Sequence, residues 1–402
     1  MIKRISIDKL RPNMYVSDLN CDWIPHHNMQ KEGRIPSLSM VNELKKRGIK
    51  EVYIDTERGI DEKDGLSQQE VEQTNRTKLD KAAQLSMASA GSVSVEEELL
   101  KANKLHEKAK GIMSNVLSDV KFGKPLETEA FDDLADGMID SVMRNHNALA
   151  CLGRIRQKDN YLMEHSINLS VLMGIFAKSM RIDRETMHQV MVGALLHDIG
   201  KIMVPDNILH KPGKLDDDEF ARMKQHVVFS RDLLKQTPGI QPLTVDVAAQ
   251  HHERIDGSGY PEGLRGCQIC REGKMVAITD VYDAITADRC YHKRLAPTAA
   301  LKKLLEWSGS HFEESLVHKF IRSMGIYPVG SLVMMESGRL AVVIEASEKD
   351  QTRPIIKLIY NSRAKQFIPV EVIDLSKPSC QDSIKNSVDA DKWHIKTSDF
   401  LS

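Results

Sequence analysis

The chain has 402 residues, 41% of them hydrophobic, which is room for two or three domains at roughly 150 residues each and for a sizeable core. With 56 Lys and Arg against 57 Asp and Glu, the formal net charge is -1, which argues against a nucleic-acid polymer as partner, since that footprint needs a surplus of clustered basic residues. No apolar run approaches the ~20 residues of a membrane span, and the start "MIKRISIDKLRPNMYV" lacks a hydrophobic signal core, so the expected location is the cytoplasm.

Residues 1–57 read as a small α+β domain. "ISIDKLRPNMYVSDL" suggests two short strands around Arg11-Pro12-Asn13, and "SMVNELKKRGIKEVYIDT" a helix, a stop at Gly48 and a strand. Residues 58–93 are polar, with few large apolar groups, and are expected to be a linker or a partly ordered helix.

From 94 to 326 the pattern is helical, with the core of this domain at 150–326. Leu99, Leu105, Ile112, Val116 and Val120 recur at helical spacing, as do Phe131, Leu134, Met138, Ile139 and Val142 in a helix from about 127 to 149. Asp159 can cap a third helix beginning near Tyr161, and a fourth runs from Arg184 to His197. Further helices are expected near 216–236, 242–252, 273–288 and 297–307. Residues 327–402 form a β-rich module: "VGSLVMMESGRLAVVIEAS" is a hairpin signal, and "RPIIKLIYN" and "QFIPVEVIDL" read as two more strands. The fold class is therefore mainly α, with a regulatory or partner-binding module at each end.

The helical domain carries an unusual set of polar residues: His165, His197, Asp198, His226, His251, His252 and Asp280, on five helices or helix ends. A helical bundle converges such positions by projecting side chains inward, and imidazole with carboxylate suits Fe, Mn, Ni or Zn. Taken singly, His165 and His226 could be core histidines, "HHER" at 251–254 a charged helix end, and Asp280 a helix cap. His197-Asp198 resists that treatment, because it follows the apolar "VMVGALL", where a lone carboxylate is costly. Neighbours on a helix diverge by about 100°, so the pair serves one centre only if the helix ends there, as Gly200 suggests, or if Asp198 bridges two ions. Two ions about 3.5–4 Å apart are a common device for phosphoester hydrolysis. Lys201 is then a candidate phosphate clamp, and "HHERIDGSGYPEGLRG" a shaped pocket wall.

"HDIGK", "HHERIDGSGYPEGLRG" and "ITDVYDAITADR" together resemble the HD-GYP family, a branch of the HD metal-dependent phosphohydrolases, over about residues 150–325. The amino-terminal piece resembles the small domain often found ahead of HD-GYP in bacterial proteins. The resemblance implies an HD-type helical core and hydrolysis of cyclic di-GMP to linear pGpG, with GMP as a further product. Such an activity lowers a bacterial second messenger that bears on biofilm formation and motility. It implies metal ligation by His165, His197, Asp198, His226, His251, His252 and Asp280, with Asp198 bridging two divalent ions, Fe or Mn first and Ni, Zn or Mg as alternatives. Lys201 and Arg289 match the phosphate-binding positions, and His292 stands where a basic residue is usual. Gly259, Tyr260 and Pro261 match the signature loop, implicated in contacts with GGDEF-domain proteins. A homodimer is compatible with this picture.

Departures from the family pattern are Ile255 for tryptophan, Cys270 for proline, Cys290-Tyr291-His292 in the substrate segment, and Tyr161 where three-metal members carry glutamate. The last implies two ions and pGpG as main product. Cys267-Gln-Ile-Cys270 has the spacing of a redox or zinc motif but no second cysteine pair, so a loop is the simpler reading. The alternatives are a non-catalytic cyclic-dinucleotide receptor and a hydrolase of another nucleotide, such as dNTPs, guanosine polyphosphates or cyclic GMP-AMP.

Overall fold

The structure, a computed structural model, describes residues 1–20, 32–46, 48–83, 93–153, 161–211, 213–287, 294–347 and 350–401. The amino-terminal sheet is built from β1 (Ile2–Ser6), β2 (Tyr15–Asp18), β3 (Gly33–Arg34), β4 (Glu51–Asp55) and β5 (Leu66–Ser67), in the order β3-β2-β4-β1-β5. The two strands flanking Arg11-Pro12-Asn13 do not pair with each other, because β4 lies between them and takes both edges. Helix α1 (Leu38–Lys46) buries Val41 and Leu44 against Val16, Val52 and Ile54. Gly48 follows it at φ +80, a left-handed turn that favours glycine.

The segment expected to be a linker or a partly ordered helix holds β5 and helix α2 (Gln68–Ala83). The helix is polar in composition because only one narrow stripe faces inward: Val71, Asn75 and Leu79, each four residues apart, are its buried positions among those described. Asn75 donates to Glu306 Oε1 at 3.0 Å, which ties α2 to the helical domain.

That domain comprises α3 (Val95–Lys121), α4 (Glu129–Leu152), α5 (Tyr161–Ser179), α6 (Arg184–Leu196), α7 (Asp206–Leu209), α8 (Asp217–Gln236), α9 (Pro242–Gln250), α10 (Arg271–Thr286), α11 (Pro297–Trp307) and α12 (Glu314–Met324). Starts are set by local chemistry. Ser94 with Glu97, and Asp216 with Glu219, form capping boxes; Asp183 caps α6; Pro242 and Pro297 open α9 and α11. The expected cap Asp159 lies outside the described residues. Helix α5 is central, packed on α4, α6, α10 and α12. Its Ile167, Leu169, Met173 and Phe176 are fully buried, so both its faces meet core.

The carboxy-terminal sheet runs β10-β6-β7-β8-β9, from β6 (Leu332–Met335), β7 (Arg339–Glu345), β8 (Ile355–Asn361), β9 (Gln366–Asp374) and β10 (Ile384–Ser387). The hairpin around Glu336-Ser337-Gly338 is present, with Gly338 at φ +80; β10 is an addition to the strands expected. Period-two alternation serves two small cores: Leu340 and Val342 face one, Ala341 and Val343 the other. The sheet is fastened to α4, where Asn147 Oδ1 accepts the Ala346 N–H at 3.2 Å.

Candidate metal centre

Helix α6 stops at Leu196, and the chain tightens into a 3-10 turn at Ile199–Met203. Asp198, at φ -100 and ψ 7, is the joint, so its carboxylate swings onto the side where His197 already points. Gly200 lies inside this turn rather than ending α6, and its role is contact. A Cβ there would stand 2.2 Å from the carbonyl oxygen of His226 and 2.5 Å from the amide nitrogen of Ser230. The Gly200 N–H donates to Ser230 Oγ at 2.9 Å. Helix α8 is thus drawn against the turn, and His226 is brought to Asp198.

All seven sequence-nominated ligands converge. Asp198 Oδ2 is 3.1 Å from His197 Nε2 and 3.7 Å from His165 Nε2. Its other oxygen, Oδ1, is 3.2 Å from His226 Nε2 and 3.9 Å from His251 Nε2. Asp280, in the middle of α10 and not at a cap, places Oδ1 3.0 Å from His165 Nε2 and Oδ2 3.7 Å from His252 Nδ1. Three donor groups gather within 4.8 Å of one another: His165, His197 and Asp280; His197, Asp198 and His251; His226, His251 and His252. His251 and His252 stand in the turn that ends α9.

The donors fit cations. Nδ1 of His197, His226 and His251 lies 2.6–2.7 Å from the carbonyl oxygens of Ala194, Met223 and Ala248. A carbonyl only accepts, so Nδ1 carries the proton, and in the neutral ring Nε2 then presents a lone pair. These Nε2 atoms, with Asp198 Oδ1 and Asp280 Oδ2, are buried without a hydrogen-bond partner among the described residues. Lone pairs facing carboxylate oxygens in a buried site repel, and each unmatched group costs about 1–3 kcal/mol. Divalent cations between them satisfy both.

The surroundings hold both carboxylates ionised. Burial alone would raise the Asp198 carboxyl, but His197 and Lys201 hold it well below the usual carboxylate range. Burial opposes ionisation of Asp280 as well, and the His165 contact outweighs it. Burial pushes His251 down to about 3 and His252 well below its ordinary value, so both imidazoles are neutral donors.

Around the centre, Lys201 Nζ sits 2.5 Å from Asp198 Oδ2. Tyr260 leans over His252 with ring centroids 4.7 Å apart, and Phe220 meets it edge-on at 6.1 Å. Burial, then Asp280 and Asp198, raise the Tyr260 phenol well above its usual value, keeping it protonated. Gly259 permits the loop to fold back: a Cβ would be 2.5–2.6 Å from backbone atoms of His252, Glu253 and Arg254. Pro261 follows Tyr260 through a cis peptide bond. Asp256 Oδ1 accepts from the Ser258 N–H and hydroxyl, and its Oδ2 pairs with Lys50 of the amino-terminal domain at 2.9 Å. Arg289 and His292 lie outside the described residues, as does the side chain of Tyr161. Cys267 and Cys270 are free thiols; Cys270 caps α10, its Sγ accepting the Gly273 N–H at 3.1 Å.

Sequence reasoning passed over three residues here. The Glu253 carboxylate accepts the N–H groups of Glu262, Gly263 and Leu264 and fixes the signature loop. Asp283 Oδ2 accepts from His165 Nδ1 at 2.6 Å, and Asp283 Oδ1 accepts from Asn168. A usable signal existed: Asp283 is three residues after Asp280, and Asn168 three after His165, each on the face of its nominated neighbour.

Residues 149–316 match the HD domain family, and residues 2–131 match a domain of unknown function, DUF3391. The chain is 36% identical over 407 residues to the Cyclic di-GMP phosphodiesterase PA4108 of Pseudomonas aeruginosa, covering 100% of this chain and 95% of that relative. It is 36% identical over 184 residues to the Cyclic di-GMP phosphodiesterase response regulator RpfG of Xanthomonas campestris pv. campestris, covering 44% of this chain and 48% of RpfG. It is 43% identical over 123 residues to the 3'3'-cGAMP-specific phosphodiesterase 2 of Vibrio cholerae, covering 30% of this chain and 24% of that protein.

Proposed function

The chain belongs to the HD-GYP family of HD-domain phosphodiesterases, and from that premise we propose that it hydrolyses cyclic di-GMP to linear pGpG at a two-ion centre. The observation that carries the two-ion reading is the placement of Asp198, whose two oxygens face different imidazoles. His165, His197, Asp198 and Asp280 would hold one ion; Asp198, His226, His251 and His252 the other. Fe or Mn fits this N/O donor set best. Bound divalent ions supply Lewis acidity and lower the pKa of water from about 16 toward neutrality.

The chain's own groups do the rest. Neutral His251 and His252 and the ionised carboxylates keep the donors in the required protonation state. Lys201, one-fifth exposed beside Asp198, is placed to neutralise a phosphate oxygen at the mouth of the site. Arg289 and His292 complete the substrate anchor by their match to the family segment. Gly259, Tyr260 and Pro261 would present the loop to GGDEF-domain proteins. No described helix is long and apolar enough to cross a membrane, and the reading places the protein in the cytoplasm with its substrate.

The test is direct. Purified protein loaded with Mn or Fe is incubated with cyclic di-GMP and, separately, with 3'3'-cGAMP, and products are resolved by chromatography. Accumulation of pGpG, abolished in Asp198→Ala, is expected. Binding of cyclic di-GMP without turnover in fully loaded protein would make it a receptor instead, and turnover of 3'3'-cGAMP alone would reassign the substrate.

A further inference from the structure

The imidazoles of the centre are oriented by two kinds of partner. His197, His226 and His251 each give their Nδ1–H to a backbone carbonyl three residues earlier. His165 gives its Nδ1–H to a carboxylate, Asp283 Oδ2, at 2.6 Å, and both side chains are essentially inaccessible to solvent. The second oxygen of Asp283 is also engaged, accepting from Asn168 Nδ2 one turn along α5. Asn168 is fitted against the end of α4, where a Cβ at Gly153 would stand 1.7 Å from its Oδ1. Both oxygens of Asp283 are therefore engaged, and the His165 ring takes its orientation from it.

A carboxylate behind an imidazole fixes the tautomer and raises the basicity of the opposite nitrogen more than a neutral carbonyl does. The two sides of Asp198 also differ in charge. On the Oδ2 side stand His165, His197 and the nearer oxygen of Asp280, with Asp283 behind. On the Oδ1 side stand His226 and His251, with His252 beside them and Asp280 Oδ2 reaching in at 3.7 Å. Asp198 and Asp280 thus offer one oxygen to each side, but Asp280 lies closer on the His165 side, at 3.0 Å against 3.7 Å, and only that side has a further carboxylate behind a histidine.

Resting on the two-ion reading above, we propose that Asp283, braced by Asn168, makes the two ion positions unequal, so that the position on the His165–His197–Asp280 side fills first and holds its ion more tightly. Asp283 is a positioning residue in this account, acting through His165.

The full chain, stripped of metal, is titrated with Mn2+ alone, with bound ion counted by elemental analysis and the spin state followed by electron paramagnetic resonance. Two steps are expected: an isolated Mn2+ signal during the first equivalent, then a spin-coupled pair during the second. Asp283→Asn should weaken the first step at least about tenfold while leaving the second within about threefold, with circular dichroism of the metal-free protein unchanged. Asn168→Ala should weaken the same step by a smaller factor, and it serves in place of Asp283→Asn if that variant does not fold. Asp283→Glu should restore part of the loss. Simultaneous filling of both positions in the wild type, or equal weakening of both steps in the variants, overturns the proposal while leaving the two-ion centre standing. Saturation at one ion per chain overturns the two-ion reading and the inequality with it.

Discussion

Gly200 and the carbonyl of His226 approach so closely that a methyl group at Gly200 would lie 2.2 Å from that oxygen. Gly200→Ala must therefore push α8 away from the 3-10 turn, and His226 away from Asp198. Overpacking of this kind costs about 1–3 kcal/mol. The displacement at the centre should lower cyclic di-GMP turnover by at least about a hundredfold. Thermal melts and single-turnover assays check both figures; an alanine variant with near wild-type turnover would show that the contact does not set the ligand spacing.

Glu253 is 2% exposed, and its carboxylate holds three consecutive-region amides, those of Glu262, Gly263 and Leu264. Glu253→Ala leaves these N–H groups without their acceptor, at a cost of about 1–3 kcal/mol. Amide exchange at 262–264 should accelerate, and cyclic di-GMP KM should rise more than kcat falls. Glu253→Gln keeps an acceptor oxygen and should show a smaller effect.

Lys50 and Asp256 join the amino-terminal domain to the signature loop, with side-chain exposures of 52% and 15%. An ion pair so open to water contributes about 0–1 kcal/mol. A double-mutant cycle over Lys50→Met and Asp256→Asn should return a coupling in that range, shrinking as salt rises. A coupling of several kcal/mol would mean that the pair, and not the wider interface, fastens the domain. That wider interface includes the Trp307 Nε1–H bond to the Asn20 carbonyl oxygen at 3.3 Å.

Acid should unfold the metal-free protein through buried histidines outside the candidate ligand set. Burial, then Lys178, lowers His146 to about 3, and burial, then Arg254, lowers His311 to about 3. Both are near 6.5 in an unfolded chain, so between those values the unfolded state binds more protons and stability falls as pH falls. At pH 5 each costs on the order of 2 kcal/mol relative to neutral pH. Denaturant titrations at pH 7.5 and 5 should show the loss, and His146→Gln should flatten the slope. A stability independent of pH over this interval contradicts the assignment.

The convergent His/Asp set was legible because its members are chemically conspicuous: His197 and Asp198 follow a wholly apolar helix, where an unpartnered carboxylate would be expensive. Asp283 was not, because in "DVYDA" it resembles any polar residue on a helix, and its partner His165 is 118 residues away. In sequence Gly200 reads as a helix stop, whereas its place is inside the 3-10 turn, because close approach of another helix leaves no mark in local sequence. Composition left a linker and a partly ordered helix both open for α2, because a stripe of Val71, Asn75 and Leu79 is enough to dock a helix yet too sparse to stand out among polar neighbours. The β-hairpin at Glu336-Ser337-Gly338 was legible because turn chemistry is local.

Helix α10 delivers both Asp280 and Asp283, and it does so after every histidine of the centre has already been synthesised. A nascent chain paused before residue 280 would hold five imidazoles with Asp198 as the lone carboxylate among the nominated residues. Capture of an ion at this candidate centre would therefore await a late moment in synthesis, and a product truncated there would carry the histidines without the carboxylates of α10.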